Sequence, residues 1–248
     1  MKIAVTGKGG SGKTTISGAL SRHLAAQGHS VVAVDGDPNP HLGISLGVKR
    51  EAVESMEPIL NALIAIGHTH NDPTPDPEDL LDRYAVAAPG GVTLVATGKI
   101  ERPTDSCLFC GSHMTTRQFF GDLQDDDRIV VADLEAGIND LLWANPGPDD
   151  VVLVVAEPSA KSVEIARRAT TIAGDLGVKR VIGVANRCTG DEDLSRVTEA
   201  LGGAEVVAVP EDPAVEHADH LGKAPFDLDP SSPAMTAVGA LAWALAHP

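Results

Sequence analysis

Eight residues near the start, Gly7-Lys8-Gly9-Gly10-Ser11-Gly12-Lys13-Thr14, set glycine, lysine and threonine in the spacing G-x4-G-K-[ST]. Glycines let the backbone turn several N–H groups inward on one anion, and a phosphate chain is the anion such a loop suits. Lys13 adds charge at the β/γ positions, and the Thr14 hydroxyl is a ligand for Mg²⁺. The cradle runs over Gly9, Gly10, Ser11, Gly12, Lys13, Thr14 and Thr15. Its chemistry is that of a P-loop binding ATP with Mg²⁺.

Two acidic segments follow apolar runs. Val34-Asp35-Gly36-Asp37-Pro38-Asn39 places Asp35 and Asp37 together. Carboxylates at the C-terminal end of a parallel strand lie where open α/β sheets bind ligands. Pro38 and Asn39 would also favour a plain Asp-rich turn. Further on, Arg128–Ala132 runs into Asp133-Leu134-Glu135-Ala136-Gly137-Ile138, an apolar strand ending in Asp, which is the Walker B pattern. There Asp133 holds Mg²⁺ through water, and Gly137 offers its N–H to the γ-phosphate and lets the segment move after hydrolysis.

Cys107-Leu108-Phe109-Cys110, with His113 just beyond, is a C-x-x-C pair. It supplies half of a tetrahedral soft-metal site, and a symmetric dimer would complete it with four thiolates. Half-buried structural cysteines or a redox pair are other readings of the same spacing. Lys99 and Arg102 are near enough in sequence to lower the thiol pKa. Cys188 reads as a packed core thiol. His68 and His70, in the Pro-rich stretch His68–Asp79, read as residues of a surface loop ahead of a metal-gathering pair.

Positioning these groups falls to alternating strands and helices. Strand-length apolar runs occupy Lys2–Thr6, Ser30–Val34, Val92–Ala96, Arg128–Ala132, Val151–Ala156, Arg180–Ala185 and Glu205–Val209. Helical spacing marks Thr14–Gln27, Ala160–Leu176, Asp191–Leu201 and Pro233–Ala246. Strands without polar alternation must be covered on both sides. The expected fold is therefore α/β, a single P-loop NTPase domain over residues 1–248 with a mostly parallel central sheet and helices on both faces. At 43% hydrophobic, 248 residues suffice for one such core.

Nineteen Lys and Arg against 35 Asp and Glu give a net charge of −16. That opposes non-specific nucleic-acid binding and docking on anionic lipid. No apolar run approaches a membrane span of about 20 residues. The phosphate loop leaves no room ahead of it for a signal peptide, so a cytoplasmic protein is expected. Three cysteines make no disulfide framework.

Lys8, directly after the first glycine, is not required by an ordinary P-loop. The form K-G-G-x-G-K-[ST] resembles the deviant Walker A ATPases, which include nitrogenase iron protein, the MinD/ParA positioning ATPases and metal-insertion ATPases. The resemblance implies that Lys8 reaches across an ATP-dependent homodimer to the partner's nucleotide. It also implies that Asp37 positions the attacking water and that Asp35 lies nearer the Mg²⁺ shell. Asn186 would bond the adenine edge, and the turn Pro210-Glu211-Asp212 would pack near base and ribose; no N-K-x-D guanine motif occurs.

K-G-G-S-G-K-T-T, V-D-G-D-P-N, Gly98-Lys99-Ile100 before a cysteine pair, and D-L-E-A-G-I occur in that order. The set is most similar to the accessory ATPases that insert nickel into carbon monoxide dehydrogenase. A dimer holding Ni²⁺ or Zn²⁺ between Cys107 and Cys110 of two subunits, acting on a client metalloenzyme, is what that likeness implies. One difference stands out: that family has one residue between the cysteines and this chain has two. An iron–sulfur ATPase is the alternative, but Ile138–Ala144 lacks the second cysteine a nitrogenase-type reductase carries there. A DNA- or membrane-positioning ATPase would want a basic surface or tail, and no Lys or Arg follows Lys223. A regulator that binds nucleotide without turnover would not need the intact acidic residues.

Overall fold

Along β1 (Lys2–Gly7), Ile3 and Val5 belong to one apolar core, Ala4 belongs to another, and all three are fully buried. β2 (Val31–Asp35) divides in the same way, with Val31 and Ala33 on one side and Val32 and Val34 on the other. Strands buried on both sides cannot stay in water, which is why helices cover both faces. The computed structural model describes residues 1–68, 75–100, 115, 118–123 and 127–247.

In chain order α1 (Lys13–Ala26) follows β1, and α2 (Leu42–Ser45), α3 (Arg50–Ser55), α4 (Ile59–Ala65) and α5 (Pro77–Tyr84) follow β2. Next come β3 (Val86–Ala87), β4 (Thr93–Ala96), β5 (Ile129–Asp133), α6 (Asn139–Ala144), β6 (Val151–Ala156) and α7 (Ala160–Asp175). The chain continues with β7 (Arg180–Cys188), α8 (Asp191–Ala200), β8 (Glu205–Pro210), α9 (Pro213–His220), α10 (Pro225–Leu228) and α11 (Pro233–Ala246). The eight strands form one sheet in the order β3-β4-β2-β5-β1-β6-β7-β8, parallel except for β3 against β4.

One core lies beneath α1 and α11, with Ile16, Leu20, Leu24, Val238 and Leu241 fully buried. The other lies beneath α4 to α8 and takes in Ile59, Leu141, Ala169 and Val197, together with Phe119, Phe120 and Leu123. The expected strands end within one residue of the observed ones, except that β7 runs three residues past Ala185. The His68–Asp79 stretch is not loop throughout. Asp76 caps α5 by accepting a bond from Glu78 N at 2.9 Å, and Pro77 takes the first helical position, where its missing N–H does no harm. His70 lies outside the described residues.

Candidate functional site

β1 sits mid-sheet between β5 and β6, so the chain leaving Gly7 turns over the C-terminal edge at the centre of the molecule. Gly7 has φ 151, and a Cβ there would collide with the Val155 carbonyl of β6, so this turn admits only glycine. The loop then leads into α1, with Gly12 in the left-handed region at φ 93 as the residue before the helix. A Cβ on Gly12 would strike Nδ2 of Asn186, which donates to the Ser11 carbonyl at 2.7 Å. The glycine spacing thus serves a close approach from β7 as well as the anion.

Register sets the acidic groups. Asp133 is paired with Val5 of β1 on one side and with Asp35 of β2 on the other. Both carboxylates are only 1% exposed. Burial raises Asp133 to about 6, opposed by hydrogen bonding from Thr14, the charge of Lys13 and a bond from Ser17. Burial, then the neighbouring Asp133, pushes Asp35 well above its ordinary value, although Leu42 N donates to its Oδ2 at 2.8 Å. Lys13, 7% exposed, is pulled down by burial and held up chiefly by Asp133 and Asp37. Asp37 is half-buried and accepts from Asn39 N at 2.8 Å.

The site has partners the sequence reading missed. Ser17 Oγ donates to Asp133 Oδ1 at 3.0 Å. Its spacing of four from Lys13 puts both on one face of α1, a signal that was there to be read. Asp140 accepts from Glu135 N at 2.7 Å and shapes the turn after β5. In that turn Gly137 N donates to Gly7 O at 3.0 Å, while Thr6 Oγ1 donates to Gly137 O at 3.0 Å. The Gly137 amide must therefore exchange one partner before it can meet a phosphate. Lys8 bends back, its Nζ donating to Gly9 O at 2.8 Å within its own loop.

Beside the loop a cavity of about 450 Å³ is lined by Gly12, Thr15, Asn186, Arg187, Pro210 and Asp212 among others. Asn186 lies inside β7 rather than at its end, just before a bulge. One N–H of its Nδ2 is committed to a carbonyl, leaving the second N–H and the Oδ1 acceptor. Asp212 is buried beneath the cavity, accepting from Ala214 N and Ala234 N, both at 2.9 Å. Burial would raise its pKa, but the Ala234 amide, then the Ser232 hydroxyl and the Ala214 amide, outweigh that and hold it low.

Lys13, Thr14, Asp35, Asp37 and Asp133 thus converge at the sheet edge, with Asn186, Pro210 and Asp212 along the adjoining cavity. Cys107, Cys110, Arg102 and His113 lie outside the described residues. Cys188 is partly buried at the margin of the second core. Among the described residues, no three or more His, Cys, Asp or Glu side chains gather into a metal cluster. An ion that takes most of its ligands from phosphate and water, as Mg²⁺ does, needs no such cluster. An all-oxygen set of Thr14, Asp133 and Asp35, with two buried carboxylates short of countercharge, fits Mg²⁺.

Residues 2–226 match the family described as the CobQ/CobB/MinD/ParA nucleotide binding domain. The chain is 30% identical over 243 residues to the carbon monoxide dehydrogenase accessory protein CooC of Rhodospirillum rubrum, covering 93% of this chain and 91% of that protein. It is 34% identical over 238 residues to an uncharacterized ATP-binding protein of Methanocaldococcus jannaschii, covering 92% of each. The fold is similar to that of the septum site-determining protein MinD of Pyrococcus horikoshii with Mg-ADP. That likeness has a TM-score of 0.77 at 18% identity and covers 99% of this chain and 96% of the other. Among the described residues, no helix is long and apolar enough to cross a membrane. Phosphate loop, buried carboxylates and family match agree: the chain belongs to the CobQ/CobB/MinD/ParA nucleotide-binding family and is a P-loop ATPase.

Proposed function

We propose that this ATPase is a Mg-ATP-dependent, homodimeric metallochaperone of the cytoplasm, with residues 1–248 working as one domain. It loads a soft divalent ion, Ni²⁺ or Zn²⁺, into a client metalloenzyme of the carbon monoxide dehydrogenase kind. The observation that carries this reading is a backbone link between the nucleotide-facing turn and the segment leading to the cysteines. Thr97 N donates to Asp35 O at 3.0 Å, and Ile100 N donates to Pro38 O at 3.1 Å. Asn61 fastens the same segment, exchanging bonds with Lys99 N and Lys99 O at 3.0 Å each. Any shift of Asp37 and Pro38 on hydrolysis therefore pulls on Ile100, seven residues ahead of Cys107 in the sequence.

The remaining roles follow from the chemistry of the groups. Loop amides and Lys13 bind the phosphates, and Asp37 orients the attacking water. The Oδ1 acceptor of Asn186 suits the 6-amino group of adenine, the base this reading assigns to the cavity. Thr14, and through water Asp133 with Asp35 behind it, would hold Mg²⁺, whose charge would stabilise the phosphates. Lys8 leaves Gly9 O and crosses to the partner's nucleotide when two phosphate loops face each other.

The test is metal stoichiometry of the purified protein, with and without ATP, in the wild type and in Cys107→Ser/Cys110→Ser. One ion per dimer is expected, lost in the double variant while ATP binding survives. One ion per monomer, or full retention without the thiols, defeats the shared site. Iron with sulfide and visible charge-transfer absorbance after anaerobic purification would make the protein a cluster carrier instead.

A further inference from the structure

The bulge in β7 turns two consecutive side chains onto the phosphate loop. The pairing of β7 with β8 shifts between Asn186 and Cys188, and Arg187 between them has φ 58. A residue with a Cβ seldom adopts that left-handed conformation, and glycine would adopt it freely. What the conformation accomplishes is the aim of the guanidinium. Arg187 Nη1 donates to Gly10 O at 3.1 Å and to Glu157 Oε1 at 2.5 Å. Its neighbour Asn186 holds the next carbonyl, Ser11 O, at 2.7 Å.

A trans peptide points its C=O and the following N–H in opposite directions, and no peptide in the described structure is cis. Gripping the Gly10 and Ser11 carbonyls from β7 therefore fixes two successive peptide planes. In the first, Ser11 N–H faces away from Arg187 and closes the turn on Lys8 O at 3.1 Å. In the second, Gly12 N–H faces away from Asn186. Glu157, at the end of β6 and 20% exposed at its side chain, keeps the half-exposed Arg187 from swinging into solvent.

We propose that Arg187, aimed by Glu157, is a positioning residue for nucleotide phosphates: with Asn186 it holds the Gly10 and Ser11 carbonyls outward, fixing the turn that Ser11 N–H closes and leaving the Gly12 amide to meet a polyphosphate. The ligand class is the diphosphate or triphosphate chain, not the base. The proposal rests on the nucleotide reading of the loop and is independent of any metal cargo.

Calorimetric titration of the full chain with MgADP tests it. Arg187→Met and Arg187→Lys share the backbone conformation and much of the reach, but only lysine keeps donors for both acceptors. Arg187→Met should weaken MgADP about tenfold, with most of the affinity regained in Arg187→Lys. Arg187→Gly should lose affinity like the Met variant without lowering the nucleotide-free Tm, because glycine accepts the left-handed backbone. Glu157→Gln should weaken binding in the wild type and add nothing in Arg187→Met. Equal MgADP affinity for the Met and Lys variants overturns the proposal. So does a loss in Arg187→Gly matched by a fall in Tm, or a Glu157→Gln effect that persists without Arg187. A wild type that binds no MgADP would remove the nucleotide reading itself, an outcome distinct from the others.

Discussion

At the scale of single residues, the cost of holding Asp133 in a dry site is the clearest consequence of the design. The charged form is disfavoured by burial until a cation arrives, so the nucleotide-free chain carries a penalty that binding relieves. Below the ordinary value of 3.8 the native and unfolded chains both hold the proton, and Asp133 costs nothing. Between 3.8 and about 6 the native carboxyl keeps its proton and the unfolded one does not, so stability falls as pH rises; above about 6 the full penalty stands. Asp133→Asn has no such titration. It should stabilise the nucleotide-free protein by about 3 kcal/mol at neutral pH. In urea unfolding that advantage should shrink as pH falls through about 6, while Mg-dependent hydrolysis is lost. Sequence showed Asp133 plainly, because an apolar strand ending in an acid is a local pattern. It did not show Arg187, whose value comes from a left-handed bulge that only the β7–β8 pairing produces.

Between elements, the joint that matters is the turn after β8. Asp212 ends the strand region and gives one oxygen to Ala214 at the start of α9 and the other to Ala234 at the start of α11. One carboxylate therefore caps two helices that begin 20 residues apart, and α11 is the helix that covers α1 and half the core. Asp212→Ala should cost about 2 kcal/mol, the sum of two ordinary caps, and loosen the cavity wall so that ATP affinity falls with it. Chemical unfolding alongside nucleotide titration would check both. The long elements were legible because their periodicity is strong. The short helices α2, α3, α4, α9 and α10 were not, being four to eight residues long and placed by what they pack on. The first carboxylate of the pair in Asp35-Gly36-Asp37 could be located from its place at the end of an apolar run. That its oxygen would anchor Leu42 at the start of α2 could not.

For the molecule as a whole, the proposed assembly turns on Lys8. In the single chain its ammonium rests on Gly9 O, an exposed contact that a partner's phosphates would readily outcompete. Lys8→Ala should keep MgATP affinity, lower turnover by about 100-fold or more, and abolish the nucleotide-dependent dimer. Light scattering during gel filtration with and without ATP reads the assembly, and phosphate release reads the turnover. Unchanged hydrolysis would show that the lysine stays at home.

The backbone link from Asp35 and Pro38 to Thr97 and Ile100 carries one more implication. A coupling free energy has no direction: if nucleotide state alters the grip on a cargo, cargo alters the grip on nucleotide by the same factor. On the proposed function, the time ATP dwells on the protein then depends on whether its metal is aboard. If the two hydrogen bonds serve a carrier in this way, they would also make it a gauge of supply, its nucleotide state reporting how much metal there is to deliver.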